Sequence, residues 1–246
     1  MDDMILYKTI FERRSIRKYK KEEIDTKTLN EISRFSKTVD KLCSDIKTSI
    51  KFITKVDISK LTPVTVSAPH YIAFFSEKKP GWLENVGYMA SEMDLYLSSI
   101  GIGSCFIGFG KPSKEVIEED LNFVIMLAFG IPDEALHREN ALEFKRKDLN
   151  EITNNPNKVM KAVRLAPSSM NSQPWYYEKE ENHINVYLKS NVIKNIILSN
   201  INFIDIGISL RYLTLALKNE NKDFKFGRLE DKKVKNGKYV ISIQIL

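Results

Sequence analysis

The chain of 246 residues has few of the residues that would staple it or ligate a metal. Its two cysteines, Cys43 and Cys105, cannot build a disulfide framework and fit a reducing compartment. Three histidines, His70, His137 and His183, stand far apart with no cysteine cluster beside them, so no metal-ligand spacing occurs. There is no run of about 18 apolar residues, which excludes a membrane-spanning helix. The start, Met1-Asp2-Asp3-Met4, has neither the basic region nor the long apolar stretch of a secretory signal, so a cytoplasmic protein is expected. A phosphate-cradling loop ending in Gly-Lys-Ser or Gly-Lys-Thr is missing. Gly101-Ile102-Gly103 closes an apolar segment instead of opening a helix after a strand, so it is no dinucleotide fingerprint. A catalytic carboxylate pair is also missing, because Glu22-Glu23 and Glu118-Glu119 read as solvated helix faces. Cys105 has no identifiable histidine partner and reads as a small buried residue.

The remaining composition is that of an ordinary globular chain, 43% apolar and 28% charged. A net charge of +6 is compatible with an anionic ligand or a nucleic acid. Many lysines between Lys218 and Lys238 stand beside acids and read as a solvated face. The aromatic residues sit mostly in apolar runs and do not alternate with a basic stripe, which argues against nucleic-acid binding.

Apolar residues at helical spacing predict a helix over 5–11 and a second one after Asp25, a good N-cap, through Leu29, Ile32 and Phe35. Residues 40–62 are lysine-rich and weakly periodic, and no element is assigned to them. Tyr71 to Phe75 and Phe123 to Phe129 read as buried strands, and 85–99 as a helix apolar on most faces. The second half repeats this plan. It has a short helix over 159–165, a hairpin of 175–178 with 184–188, an apolar helix over 202–218 and a closing strand over 239–246. Leu97 and Leu217 are 120 residues apart and Phe123 and Tyr239 are 116 apart, an offset that suggests a diverged internal duplication. The expected fold is α+β and three-layered α-β-α, with halves at 1–148 and 149–246. Each half is expected to hold a mixed, mainly antiparallel sheet and a central apolar helix, and the halves pack through those helices.

Three segments carry candidate chemistry. Arg13-Arg14-Ser15-Ile16-Arg17 can form an anion pocket, since guanidinium groups bind phosphate bidentately, or can simply complement a helix C-terminus. Lys145-Arg146-Lys147 is a second phosphate candidate or an exposed basic linker. The run Ala166-Pro167-Ser168-Ser169-Met170-Asn171-Ser172-Gln173-Pro174-Trp175 is too polar for a core and is braced by two prolines. Its uncharged donors and acceptors suit a flat heterocycle with polar edges, although serine and asparagine also cap helices.

Together, the segments Arg13 to Tyr19 and Ala166 to Trp175 resemble the FMN-dependent nitroreductase family. Gly101 to Gly108 and Lys145 to Leu149 look like weaker pieces of the same pattern. The resemblance implies bound FMN. Arg13, Arg14, Ser15 and Arg17, with Lys145 and Arg146, would hold its phosphate and ribityl chain. Phe106, Ile107 and Gly108 would run along the ring near its reactive nitrogen. Pro167, Ser168, Ser169, Asn171 and Gln173 would contact ring and ribityl chain. It implies NADH or NADPH as reductant and a small electron-poor acceptor, a nitroaromatic or quinone, in a ping-pong cycle that needs no side-chain acid. Arg17 would stabilise negative charge on the reduced cofactor. In usual members the Ser/Asn loop follows soon after the arginine motif; here it lies about 150 residues later. That displacement looks like a subgroup in which one chain mimics the usual dimer, so a monomer with one flavin is expected. A flavin-binding sensor or carrier without turnover is the alternative.

Overall fold

The computed structural model describes residues 2–58, 66–117, 120–189, 192–228 and 237–246, with 56 and 192–199 described in their backbone alone. The first half runs α1 (Asp3–Thr9), α2 (Thr26–Ser36), β1 (Thr48–Thr54), β2 (His70–Ser76), α3 (Trp82–Ser99), β3 (Gly103–Ile107) and β4 (Asn122–Gly130). The second runs α4 (Leu149–Ile152), α5 (Lys158–Arg164), β5 (Trp175–Glu180), β6 (His183–Leu188), α6 (Val192–Asn219), β7 (Phe224–Gly227) and β8 (Lys238–Ile245). Capping sets several of these starts. The Asp2 and Asp25 carboxylates accept from the backbone N–H groups of Met4 and Thr28, and the Asn157 amide oxygen accepts from that of Met160.

The two halves share one topology. The first sheet is ordered β1-β2-β4-β3 and the second β5-β6-β8-β7, so each half is a strand pair, a long helix and a second strand pair with the same crossover. Every pairing between these strands is antiparallel, not mixed. The weakly periodic 40–62 segment contains β1, whose residues are mostly half-exposed on one edge and so carry little apolar alternation. The glycine-rich break contains β3, and the lysine-rich stretch after α6 contains the short edge strand β7. Glu22 and Glu23 are solvated as expected but sit in a bend before α2, not on a helix; Glu118 and Glu119 lie outside the described residues.

α3 and α6 pack on each other, α3 against β2, β3 and β4 and α6 against β6, so one continuous apolar core crosses both halves. The crossing is reciprocal. A Cβ on Gly87 would stand 2.1 Å from the Ile204 carbonyl oxygen, and one on Gly207 would stand 2.0 Å from that of Glu84. Only glycine lets the two backbones come this close. Gly207 follows Gly87 by 120 residues, and Ile204 follows Glu84 by 120. Residue i meets j while the counterpart of j meets the counterpart of i, the signature of an isologous two-fold contact, here made inside one chain. Arg211 on α6 locks the same region. Its buried guanidinium pairs with Glu92 at 3.1 Å, Asp3 at 3.2 Å and Asp40 at 2.9 Å, joining α6 to α3, α1 and the loop after α2.

Candidate cofactor site between the halves

A cavity of about 200 Å³ opens where the two halves meet. The loop after α1 contributes Ser15 and Arg17 to it, and β3 with its exit contributes Cys105, Phe106, Gly108 and Phe109. The loop between α5 and β5 supplies Pro167, Ser168, Ser169 and Met170, and α6 supplies Ile201, Asp205 and Ile208. Three segments far apart in the chain thus converge on one space, with apolar walls completed by Ile125 of β4.

The loop that closes the cavity is held rigidly. Met170, Asn171 and Gln173 have φ of 51°, 53° and 42°, a left-handed conformation that side chains beyond glycine adopt only when neighbours impose it. Those neighbours are visible. Gln173 is fully buried; its Oε1 accepts from the Lys147 backbone N–H at 2.7 Å, and its Nε2 donates to the Arg164 carbonyl at 3.0 Å. Asn171 Oδ1 accepts from Arg146 Nη1 at 2.6 Å, while its Nδ2 donates to the Lys145 carbonyl at 2.6 Å. Ser168 Oγ accepts from the Gln173 backbone N–H at 2.9 Å. Segment 145–147 therefore staples the loop. The polar residues of the loop play two different parts. Asn171 and Gln173 shape it, while Ser168 and Ser169 face the cavity.

Arg13 is also structural. Its Nε sits 3.0 Å from Asp94 Oδ2, both side chains almost wholly buried, and its Nη2 donates to Ser15 Oγ at 3.2 Å. Ser104 Oγ donates to the other Asp94 oxygen at 2.6 Å. This chain of contacts runs from β3 through α3 to Ser15 at the cavity wall. Arg14 is partly exposed, 3.9 Å from Glu134, whose Oε1 accepts from the Arg17 and Lys18 backbone N–H groups. The Arg17 side chain is exposed, and among the described residues it has no ion-pair or hydrogen-bond partner. Ile107 is buried in an apolar cluster with Tyr71, Ala73, Met126 and Ala128 and does not line the cavity. Lys145 is exposed.

Sequence reasoning missed two residues. Arg138, after β4, donates to the Arg13 carbonyl and stacks 4.0 Å from the centre of the Phe144 ring; Arg146 lies 5.8 Å from the same ring. Burial, then the positive charge of Arg13 and Arg14, pushes the Arg138 guanidinium down to about 10. Burial and Arg13 do the same to Arg146, also to about 10. Neither has a carboxylate in ion-pair contact among the described residues. Crowded arginines without matching acids form a site that favours an anion. The second residue is Asp205, 3% exposed on α6, whose two carboxylate oxygens both lie 3.1 Å from the Ser169 backbone nitrogen. Burial pushes its carboxyl up to about 8. A lone acid inside a helix apolar on every face was the available sign, because such a helix buries whatever it carries.

Comparisons with known proteins agree with this architecture. A family model described as "Putative TM nitroreductase" matches residues 5–217. The solved structure of a nitroreductase from Thermotoga maritima aligns with 100% of this chain and 94% of its own at a TM-score of 0.65 and 16% identity. An FMN-dependent nitroreductase from Clostridium difficile aligns with 56% of this chain and 96% of its own, at 18% identity and a TM-score of 0.45. No curated protein matches the sequence. With the family match spanning most of the chain and the Thermotoga maritima fold spanning all of it, this chain belongs to that nitroreductase family.

Proposed function

We propose that the chain is an FMN-dependent oxidoreductase whose cofactor lies in the cavity between the halves. The observation that carries this reading is the convergence on one cavity of the arginine/serine motif, the exit of β3 and the Ser168–Ser169 loop. The donor set fits the cofactor. Apolar walls from Phe106, Ile125, Ile201 and Ile208 suit a flat ring. Arg14, Arg138 and Arg146 gather positive charge without ion-paired acids of their own beyond the long Arg14–Glu134 contact, which suits a phosphate.

When bound, FMN supplies the redox chemistry, passing electrons from NADH or NADPH to a nitroaromatic, quinone or similar acceptor in a ping-pong cycle. The protein's own residues bind and orient. Arg13 holds Ser15 against the cavity and is itself held by Asp94. Arg146 and Asn171 fix the loop, so that Ser168 and Ser169 keep their place. Arg17 offers an exposed positive charge at the cavity. The halves are taken as 1–148 and 149–246, because α4 opens the second run of the shared element order at Leu149. One loop of the Ser/Asn type per chain supports one flavin per chain, in a cytoplasmic monomer.

The purified protein is expected to be yellow or to take up added FMN, at one per chain, with a solution mass of one chain. It is then expected to oxidise NADH or NADPH in the presence of a nitro compound or menadione. A colourless protein that takes up no added FMN overturns the reading. A flavin that neither nicotinamide reduces would assign the chain to the carriers instead.

A further inference from the structure

Among the described residues, Asp205 is the one carboxylate that lines the cavity. Both of its oxygens approach the same donor, the Ser169 backbone N–H. An ionised carboxylate offers about four lone-pair sites, and burying it against a single amide is costly. The charged and titratable groups around it do not neutralise it. Arg17 and the Cys105 thiol line the same cavity from the other half, yet neither contacts Asp205; Arg211, further along α6, is engaged by Asp3, Asp40 and Glu92, and Glu84 lies buried on α3. As a neutral acid Asp205 would accept the Ser169 amide with one oxygen. Its O–H would then stand as a donor at the cavity wall.

The other half contains an internal reference. Asn85 on α3 stands 120 residues before Asp205. Its Oδ1 accepts from the Cys43 backbone N–H at 3.0 Å, just as Asp205 accepts from that of Ser169. The same position on the same helix of each half therefore makes the same side-chain contact to a preceding loop. A neutral amide serves that contact in the first half, so the contact itself does not require an acid. The acid stands only where the cavity described above lies.

We propose that Asp205 is a recognition residue of this cavity, a neutral carboxylic acid that accepts from the Ser169 amide and donates its O–H to an acceptor atom at the polar edge of the bound heterocycle. This inference rests on the cavity being the flavin site. It makes cofactor affinity depend on one proton held at Asp205. Binding is strong while that proton is present and weakens as pH rises through its loss, by up to about tenfold per pH unit beyond it.

The test is titration of the cofactor-free protein with FMN, followed by flavin fluorescence, between pH 7 and 9, above the second ionisation of the phosphate near 6. The wild-type dissociation constant is expected to rise across this range. Asp205→Asn keeps a donor and an acceptor, as Asn85 does, and is expected to bind with little dependence on pH. Asp205→Leu removes the donor and is expected to bind about three- to tenfold more weakly at pH 7 than the wild type. Thermal melting of the same cofactor-free proteins gives a second readout. Asp205→Asn is expected to raise the melting temperature more at pH 8 than at pH 5. Wild-type affinity that is flat with pH, or Asp205→Leu binding as tightly as the wild type, overturns the donor role while leaving the flavin site standing. A wild type that takes up no FMN at any pH overturns the flavin site and the donor role with it.

Discussion

Two places in this molecule are related by the reciprocal crossing of α3 and α6, and only one has the serines and apolar walls of the proposed cofactor site. At the first, Gly108 leaves space: a Cβ there would meet nothing nearer than the tip of Ile201, at 3.7 Å. At the second the sizes are exchanged. The residue 120 positions after Gly108 is Arg228, and the residue 120 before Ile201 is Gly81. The Arg228 guanidinium lies over Gly81, 2.8 Å from where a Cβ would stand. Around it a cavity of about 300 Å³ has Lys79, Glu84, Arg228 and Lys238 in its lining beside Trp82, Leu83 and Phe203, with no serine among the described residues that line it. Asn85 takes the place of Asp205. The comparison shows that the two halves repeat the scaffold and its backbone contacts, while a few side chains set the chemistry of each niche.

The largest expected effect breaks the Arg13–Asp94 support of the first site. Arg13→Met strands Asp94 in the core, and loss of one partner of a buried pair costs about 3–5 kcal/mol. At about 2–4 °C per kcal/mol for a chain of this size, the melting temperature falls by roughly 10 °C. Burial already raises the Asp94 carboxyl, against the pull of Arg13 and Ser104. A raised folded value means stability is lost as pH increases, so the deficit of the variant is expected to be smaller at pH 5 than at pH 8.

Exchanging the equivalent residues sharpens the contrast next. Asn85→Asp buries an acid where no cavity ligand awaits it and is expected to cost about 1–3 kcal/mol, more at pH 8 than at pH 5. Asp205→Asn is expected to act with the opposite sign. Asp205 rises from an ordinary 3.8 to about 8 on folding, so wild-type stability drains away as pH climbs between those values, and the amide recovers it. Melting curves at the two pH values check both variants.

Gly87→Ala and Gly207→Ala test the crossing. Each forces a methyl against a backbone carbonyl, and overpacking of this kind costs about 1–3 kcal/mol. The two losses are expected to match, since the contacts are reciprocal; a difference beyond about 1 kcal/mol would show that one half bears the crossing alone. Arg228→Gly has the smallest expected effect. As an exposed substitution it should change stability by less than about 0.5 kcal/mol. Flavin stoichiometry is expected to stay at one, because the Ser/Asn loop is still missing from that side; a second bound FMN would show that Arg228 alone keeps a flavin out.

Much of this was legible in the chain. The apolar helices announced themselves because burial on every face removes the need for polar residues. The 120-residue offset between Leu97 and Leu217 is the offset of the crossing glycines. The Pro167 to Trp175 loop and the arginine motif were legible as segments too polar for a core, and the structure brings both to one cavity. The strands β1 and β7 escaped because edge strands half in solvent carry no strong period. The division of labour among polar residues escaped for a different reason. Whether Gln173 faces a ligand or the Lys147 and Arg164 backbone is a matter of direction, and composition carries no direction.

By itself, then, the sequence determined the two halves, their apolar helices and the segments that carry hydrogen-bonding chemistry, because these follow from local periodicity and from residues whose polarity excludes a core. The tertiary structure alone decided that Arg13 pairs with Asp94, that Asp205 lines a cavity, and that Arg228 lies over Gly81 where Gly108 leaves space. Each of those depends on which distant backbone comes within a few ångströms, and that is settled only when the halves cross at Gly87 and Gly207.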